Sequence, residues 1–257
     1  MPPRVMILRA AGTNCDGETA YAFGKAGAAT ELVHVGRLSA EPGLLADFQI
    51  LAVPGGFSYG DDVAAGRIFA NQLTAHLSDV LRGFVDAGKL VIGICNGFQV
   101  LVRAGLLPAA APGAGAEATL AWNANARFTD RWVHLAAASD RCVFVRRGQR
   151  MYLPVAHGEG RFLPGAPDLL DRMTAAGQIA LVYTDAGGRP AAGGPDNPNG
   201  STADIAGVCD PTGRVFGLMP HPERHAEPTQ HPRWTREGLR PDGDGMVIFR
   251  NAVAYFG

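Results

Sequence analysis

Charge is scarce in this 257-residue sequence: 18% of the side chains are charged, 23 basic against 24 acidic, with no run of Lys or Arg. Binding nucleic acid or an anionic membrane surface requires a basic face, so neither is an expected partner. No apolar stretch approaches the length of a membrane span. The apolar run in MPPRVMILRAAG is too short for the core of a signal peptide, and the expectation is a cytoplasmic protein. Cysteine is sparse too. Cys15, Cys95, Cys142 and Cys209 stand far apart, with no C-x-x-C pair and no Cys/His cluster at zinc spacing. That argues against a disulfide framework or a structural metal and leaves each thiol, by default, a small buried hydrophobe. A G-x-x-x-x-G-K-[ST] phosphate loop is missing, so no ATP site is expected on this chain.

What the sequence does contain is turn-formers, 34 Gly and 18 Pro, among 47% hydrophobic residues. Short apolar runs bounded by turns alternate with longer amphipathic stretches: RVMILRA then GETAYAFGKAG, ATELVHV then a short helical piece, QILAVPGG then VAAGRIFANQLTAHLSDVLRGFVDAG, KLVIGIC then NGFQVLVRAGLL. Strand-then-helix repetition predicts an α/β fold: an open, mostly parallel sheet with helices on both faces. After Pro108 an Ala/Gly/Pro loop leads to TLAWN, WVHLAAA, CVFVRR and MYLPVA, expected to form a small antiparallel extension. IALVYT, DIAGVCD and RVFGLMP follow as strand-like pieces, and MVIFRNAVAYFG predicts a closing helix. Core-like strands before and after the middle section favour a single domain over residues 1–257, and an initial Met1 with a helical end favours a separate subunit.

Gly93-Ile94-Cys95-Asn96-Gly97 has the layout of a nucleophile elbow, an apolar strand turning sharply into a helix with glycines two places either side of the central residue. Such a turn exposes Cys95 at the carboxyl end of the sheet, where parallel α/β sheets bind ligands. It also sets the thiol against a helix N-terminus, which favours the thiolate. On pattern alone an inert thiol closing a buried strand remains an alternative. A thiolate needs a base. His221 follows the apolar strand RVFGLMP and has Glu223 two residues on; His157, in LPVAHGEGRF, has Glu159 at the same offset. Local spacing does not separate them. The core-like strand favours His221, leaving His157 to contact a partner or line a product exit. If RVFGLMP runs parallel to KLVIGIC, Cys95 attacks, His221 moves the proton and Glu223 orients the imidazole. The backbone N–H groups of Asn96 and Gly56 are the expected oxyanion donors.

These residues resemble the class I glutamine amidotransferases, whose elbow reads G-x-C-x-G-x-Q and whose later motif reads H-P-E, here GICNGFQ (93–99) and HPE (221–223). GTNCDGETAYAF, PGGFSYGDD, LPVAHGEGRF, NPNGS and VFGLMPHPER extend the likeness along nearly the whole chain, and within that class it is similar to the glutaminase subunits of phosphoribosylformylglycinamidine synthase, of purine biosynthesis. The resemblance implies a flavodoxin-like fold and hydrolysis of L-glutamine to glutamate and ammonia through a Cys95–His221–Glu223 triad and a glutamyl thioester. It also places Gly55, Gly56 and Gln99 at the substrate and oxyanion site. It implies no cofactor here, ATP and Mg on a large synthetase subunit that receives the ammonia, and a small accessory subunit. Another class I amidotransferase, a related cysteine hydrolase and a regulatory subunit without catalysis are the competing readings. RAAG stands where the family leads one to expect Phe-Pro-Gly, a departure that bears on partner contacts.

Overall fold

A computed structural model describes residues 1–61, 64–108 and 116–257. The expected strand-helix alternation fills the first part of the chain: β1 (Arg4–Arg9), α1 (Asp16–Lys25), β2 (Ala29–His34), α2 (Val35–Ala40), β3 (Ile50–Val53), α3 (Arg67–Asp86), β4 (Leu90–Ile94) and α4 (Asn96–Arg103). Then come β5 (Ala118–Ala121), β6 (Thr129–Ala137), β7 (Arg150–His157), β8 (Arg161–Pro164), α5 (Leu169–Ala175), β9 (Ile179–Thr184), β10 (Ile205–Cys209), β11 (Val215–Leu218), the short α6 (Trp234–Glu237) and α7 (Met246–Ala254). The Ala/Gly/Pro loop expected after Pro108 falls largely at 109–115, outside the described residues.

Nine strands form one sheet in the order β2-β1-β3-β4-β11-β10-β9-β6-β7. The half from β2 to β11 is parallel, and the antiparallel extension, β10, β9, β6 and β7, continues the same sheet. Burial explains the difference in sequence texture. β3, β4 and β11 are buried at every residue, as continuous apolar runs covered on both faces must be. β6 and β7 alternate buried with partly exposed residues, one face to the core and one outward.

TLAWN is antiparallel as expected, although as β5 it pairs with β8 in a two-stranded sheet apart from the main one. One expectation fails in this region. CVFVRR is not a strand. Cys142, Phe144 and Val145 are buried, with Phe144 stacked 5.4 Å from Phe216, while the backbone turns and is tied by single bonds such as Val143 N–H to Gly213 O and Asn251 Nδ2 to Phe144 O. The segment is apolar because it covers β11, and β-forming side chains without a neighbouring ladder do not make a strand.

Parallel register decides which residues meet at the carboxyl edge. Val53 stands opposite Gly93 and Leu218 opposite Ile94, so Gly55-Gly56, Cys95 and His221 leave adjacent strands on one edge. The loop after β1 arrives there too, with Cys15 N–H on Gly55 O at 3.2 Å. The two elbow glycines are required by contact. A Cβ on Gly97 would sit 1.8 Å from the Val53 carbonyl oxygen, and one on Gly93 2.6 Å from Gly97 O, so α4 lies directly on β3 and β4. Gly97→Ala is therefore expected to destabilise the fold by about 2 kcal/mol or more. Gly24→Ala, on the exposed face of α1 with nothing within 4 Å, should stabilise by about 0.5–1 kcal/mol. Denaturant midpoints of the two variants check the contrast.

Candidate active site

Cys95 sits at φ 51°, ψ −105°, a backbone conformation that L-residues rarely adopt. Strain of this kind costs on the order of 1–3 kcal/mol and persists only where the surroundings enforce it. Here the enforcing contacts are Cys95 N–H on Leu218 O (2.8 Å), Gln99 N–H on Cys95 O (3.1 Å) and the glycine-lined approach of α4. The turn aims the thiol into a cavity of about 410 Å³ lined also by Gly56, Phe57, Asp61, Gln99, His157 and Glu159, and its S–H faces the Ala156 carbonyl oxygen at 3.7 Å.

His221 leaves β11 on the same edge, held by its N–H on Pro154 O (2.8 Å). Its Nδ1 is 2.6 Å from Glu223 Oε1, both side chains almost wholly buried. With Nδ1 engaged, Nε2 is the nitrogen left for proton transfer. Burial alone would depress the imidazolium, but the Glu223 charge, then that of Cys95, with the Cys15 and Cys95 thiols close by, outweigh it, raising the pKa well above the usual value. The His221 ring is thus biased toward the imidazolium.

The His157–Glu159 pair does not form a second dyad. Asn123 Oδ1 accepts from Gly160 N–H (3.1 Å) and lies 3.1 Å from His157 Nδ1, so Nδ1 carries the proton and Nε2 is an unprotonated acceptor with no hydrogen-bond partner. Burial first, then the neighbouring His221 charge, lowers the His157 pKa to about 3. The Glu159 carboxylate turns instead to Arg103, at 3.7 Å. His157 is a neutral wall of the cavity.

The residues expected to touch substrate divide. Gly56, at φ 144°, lines the cavity. Gly55 is crowded: a Cβ there would lie 2.8 Å from His221 Cε1 and 3.2 Å from Cys15 Sγ. The Asn96 side chain is a buried junction, accepting from Ser58 Oγ (2.6 Å) and donating to Asp61 Oδ1 (3.1 Å) and Gln99 Oε1 (3.0 Å). Gln99 lines the cavity, yet its Nε2 donates to Glu159 O at 2.5 Å, so its amide braces α4 against the turn after β7. Sequence reasoning missed Asn123, Ser58 and Cys15. Asn123 lies in a strand-like segment with no catalytic pattern, Ser58 sits within PGGFSYGDD, where only the glycines drew notice, and Cys15, although inside GTNCDGE, took the default of a buried hydrophobe. NPNGS packs beside this turn, with Asn199 Nδ2 on Gly160 O at 2.8 Å and Ser201 Oγ receiving Phe162 N–H at 3.0 Å. The donor atoms of Cys15, His221 and Glu223 lie within 4.8 Å of one another. Glu223 is spent on Nδ1 and Cys15 on Arg224 (Nη2 to Sγ, 3.2 Å), which makes the cluster a hydrogen-bonded network and not a ligand set for a metal.

A family model described as the CobB/CobQ-like glutamine amidotransferase domain matches residues 2–256. The phosphoribosylformylglycinamidine synthase subunit PurQ of Dehalococcoides mccartyi is 49% identical, over 98% of this chain and 97% of that protein. The chain belongs to this family of synthase glutamine amidotransferase subunits. The PurQ subunit of Methanococcus maripaludis is 44% identical over 99% and 97% of the two chains. The structure of PurLQS from Thermotoga maritima superposes with a TM-score of 0.75 at 28% identity, over the full length of both chains. Family membership makes the chain a glutaminase subunit of purine biosynthesis. No helix among the described residues is long and apolar enough to cross a membrane.

His157 gives a pH test of the site's electrostatics. Its folded pKa lies below the unfolded value of about 6.5, so below that pH the unfolded chain binds a proton that the fold refuses. Stability then falls with acidification by about 1.4 kcal/mol per pH unit from this group. Denaturant unfolding of wild type and His157→Gln between pH 4 and 7 is expected to show that slope lost in the variant.

Proposed function

We propose that Cys95, His221 and Glu223 hydrolyse L-glutamine in this chain, a single domain over residues 1–257 working in the cytoplasm, and that the ammonia passes to a large synthetase subunit. The observation that carries the reading is the parallel pairing of β4 with β11, which sets a strained thiol and a carboxylate-bound imidazole on one edge beside a single cavity. The Cys95 thiolate attacks the carboxamide carbon of glutamine. The backbone N–H groups of Asn96 and Gly56 receive the oxyanion. His221, as imidazolium, gives its Nε2 proton to the departing nitrogen, which leaves as ammonia while a glutamyl thioester stays on Cys95. Neutral His221 then takes a proton from water, whose hydroxyl attacks the thioester, and glutamate and the thiolate are regenerated. Glu223, bonded to Nδ1, fixes the tautomer and stabilises the charged ring. The buried side chains of Gln99 and Asn96 hold the cavity wall in shape, and Gly55 leaves room for His221.

Free ammonia at neutral pH is mostly protonated and loses its nucleophilicity, so transfer is expected through a sealed passage into the synthetase, which with its ATP and Mg completes the amidation alongside a small accessory subunit. Two variants of the assembled synthase test the division of labour. Cys95→Ala is expected to abolish amidation from glutamine and keep amidation from added ammonium salt; parallel loss of both would sink the assignment. Glu223→Gln is expected to lower kcat for glutamate release by a factor on the order of 100 to 10,000, with KM for glutamine nearly unchanged, measured by steady-state kinetics.

A further inference from the structure

The substrate cavity is lined by charge of one sign. Among the described residues that line it none is Lys or Arg, whereas Asp61 and Glu159 both contribute carboxylates. His157 adds no charge, since burial above all keeps its ring neutral. The two carboxylates differ in how far they are compensated. Asp61 Oδ1 accepts from Gly66 N–H (3.2 Å) and Asn96 Nδ2 (3.1 Å). The Glu159 carboxylate, on a side chain only 15% exposed, has Arg103 Nη2 at 3.7 Å, an ionic contact too long for a hydrogen bond. Arg103 is itself committed elsewhere, its Nε donating to Ala65 O at 2.9 Å. A half-compensated carboxylate withdrawn from bulk water is costly, and a cation brought to it is correspondingly favoured. The backbone beneath Glu159 is held on both sides. Its carbonyl oxygen accepts from Gln99 Nε2 (2.5 Å), Gly158 O accepts from Asn123 N–H (2.8 Å), and Gly160 N–H donates to Asn123 Oδ1 (3.1 Å). The turn therefore presents this carboxylate from a fixed frame, on the wall of the cavity that Cys95 enters.

We propose that Glu159 is the specificity-determining residue for the α-ammonium group of free glutamine, accepting a charge-assisted hydrogen bond from it while the carboxamide meets Cys95. The inference rests on the glutaminase reading above. Glutamine carries its cation at the end opposite the carboxamide, so a ligand whose amide is at the thiol presents the ammonium farther along the same cavity. Its α-carboxylate is repelled by Asp61 and Glu159 and turns to the rim, where the exposed rings of Phe57, Trp122 and Phe128 bring no charge. A peptide-bound or N-acylated glutamine has only an amide in place of the cation and leaves Glu159 without its ionic partner. The chemistry selected is the free amino acid.

The test uses the assembled synthase and two probes, L-glutamine and 4-carbamoylbutanoate, which is glutamine without its α-amino group. Ammonia release gives kcat/KM for each; where the second probe turns over too slowly, its Ki against glutamine takes the place of that value. Wild type is expected to favour glutamine strongly. Glu159→Gln keeps the shape and removes the charge, and is expected to lower kcat/KM for glutamine roughly tenfold to a hundredfold, the scale of a lost hydrogen bond to a charged group. The loss should fall on KM, with kcat and the value for 4-carbamoylbutanoate held within about twofold, so that the preference collapses. Asp61→Asn should lower both probes alike, because it disturbs the Asn96 junction on which both depend. An undiminished preference in Glu159→Gln overturns the proposal, as does equal loss of both probes, which would mean a bracing role alone. Collapse in Asp61→Asn with preference kept in Glu159→Gln moves the ammonium to Asp61 and overturns it as well. If Glu159→Gln does not fold, wild type and Asp61→Asn decide: lack of preference in the first, or its collapse in the second, counts against Glu159. Lack of Cys95-dependent ammonia release from glutamine in the wild type would instead overturn the glutaminase assignment.

Discussion

Everything at this site depends on how closely α4 approaches the sheet. With no side chains at Gly93 and Gly97 the helix lies on the backbone of β3 and β4, and the chain can pass from strand to helix within one residue only if that residue takes a left-handed conformation. Cys95 bears the strain. The reward is geometric: the thiol projects from the sheet edge at the first turn of a helix. The same close packing buries α4 from Asn96 to Val102, so the apolar helix that enforces the turn is also a major part of the core. Placement of the thiol and stability are one interaction.

Two buried histidines near the cavity show how partner chemistry sets charge at equal depth. His221 faces a carboxylate and is held toward the imidazolium; His157 faces an amide oxygen and is held neutral. Desolvation opposes charge on both, and only at His221 do the neighbours, the Glu223 charge first and then that of Cys95, outweigh it. Their pH effects on stability therefore differ in sign. The His221 contribution is complete below the unfolded value of about 6.5 and fades as pH rises through its raised folded pKa, whereas the His157 cost appears as pH falls below about 6.5. One ring is suited to moving a proton, while the other gives the cavity an uncharged acceptor wall beside the Cys95 thiol.

Buried amides form a second layer of organisation. Asn96, Gln99, Asn123 and Asn199 each satisfy backbone or side-chain groups of two different segments. An amide carries donors and an acceptor in one rigid plane, so it can join loops without introducing a charge that would disturb the ionisation of His221. Gln99 belongs to the elbow motif, and its position in the interior shows that a motif residue near a substrate can act by bracing the wall that the substrate meets.

The sequence by itself determined the parallel strand-helix architecture and the elbow at Cys95, because these rest on local facts: hydrophobic runs of strand length and glycines at the places where a turn forces contact. Only the tertiary structure decided which histidine faces the thiol, since HGE and HPE look alike until β11 is seen beside β4 and Asn123 is seen beside His157. The same holds for CVFVRR, apolar enough for a strand but lacking a ladder neighbour, and for TLAWN, whose partner proved to be β8. Cys15 is the clearest case. Nothing within GTNCDGE sets that thiol apart from a buried hydrophobe, because its neighbours Gly55, His221 and Arg224 reach it from two other loops, and a contact between distant segments exists only once the sheet has set their register.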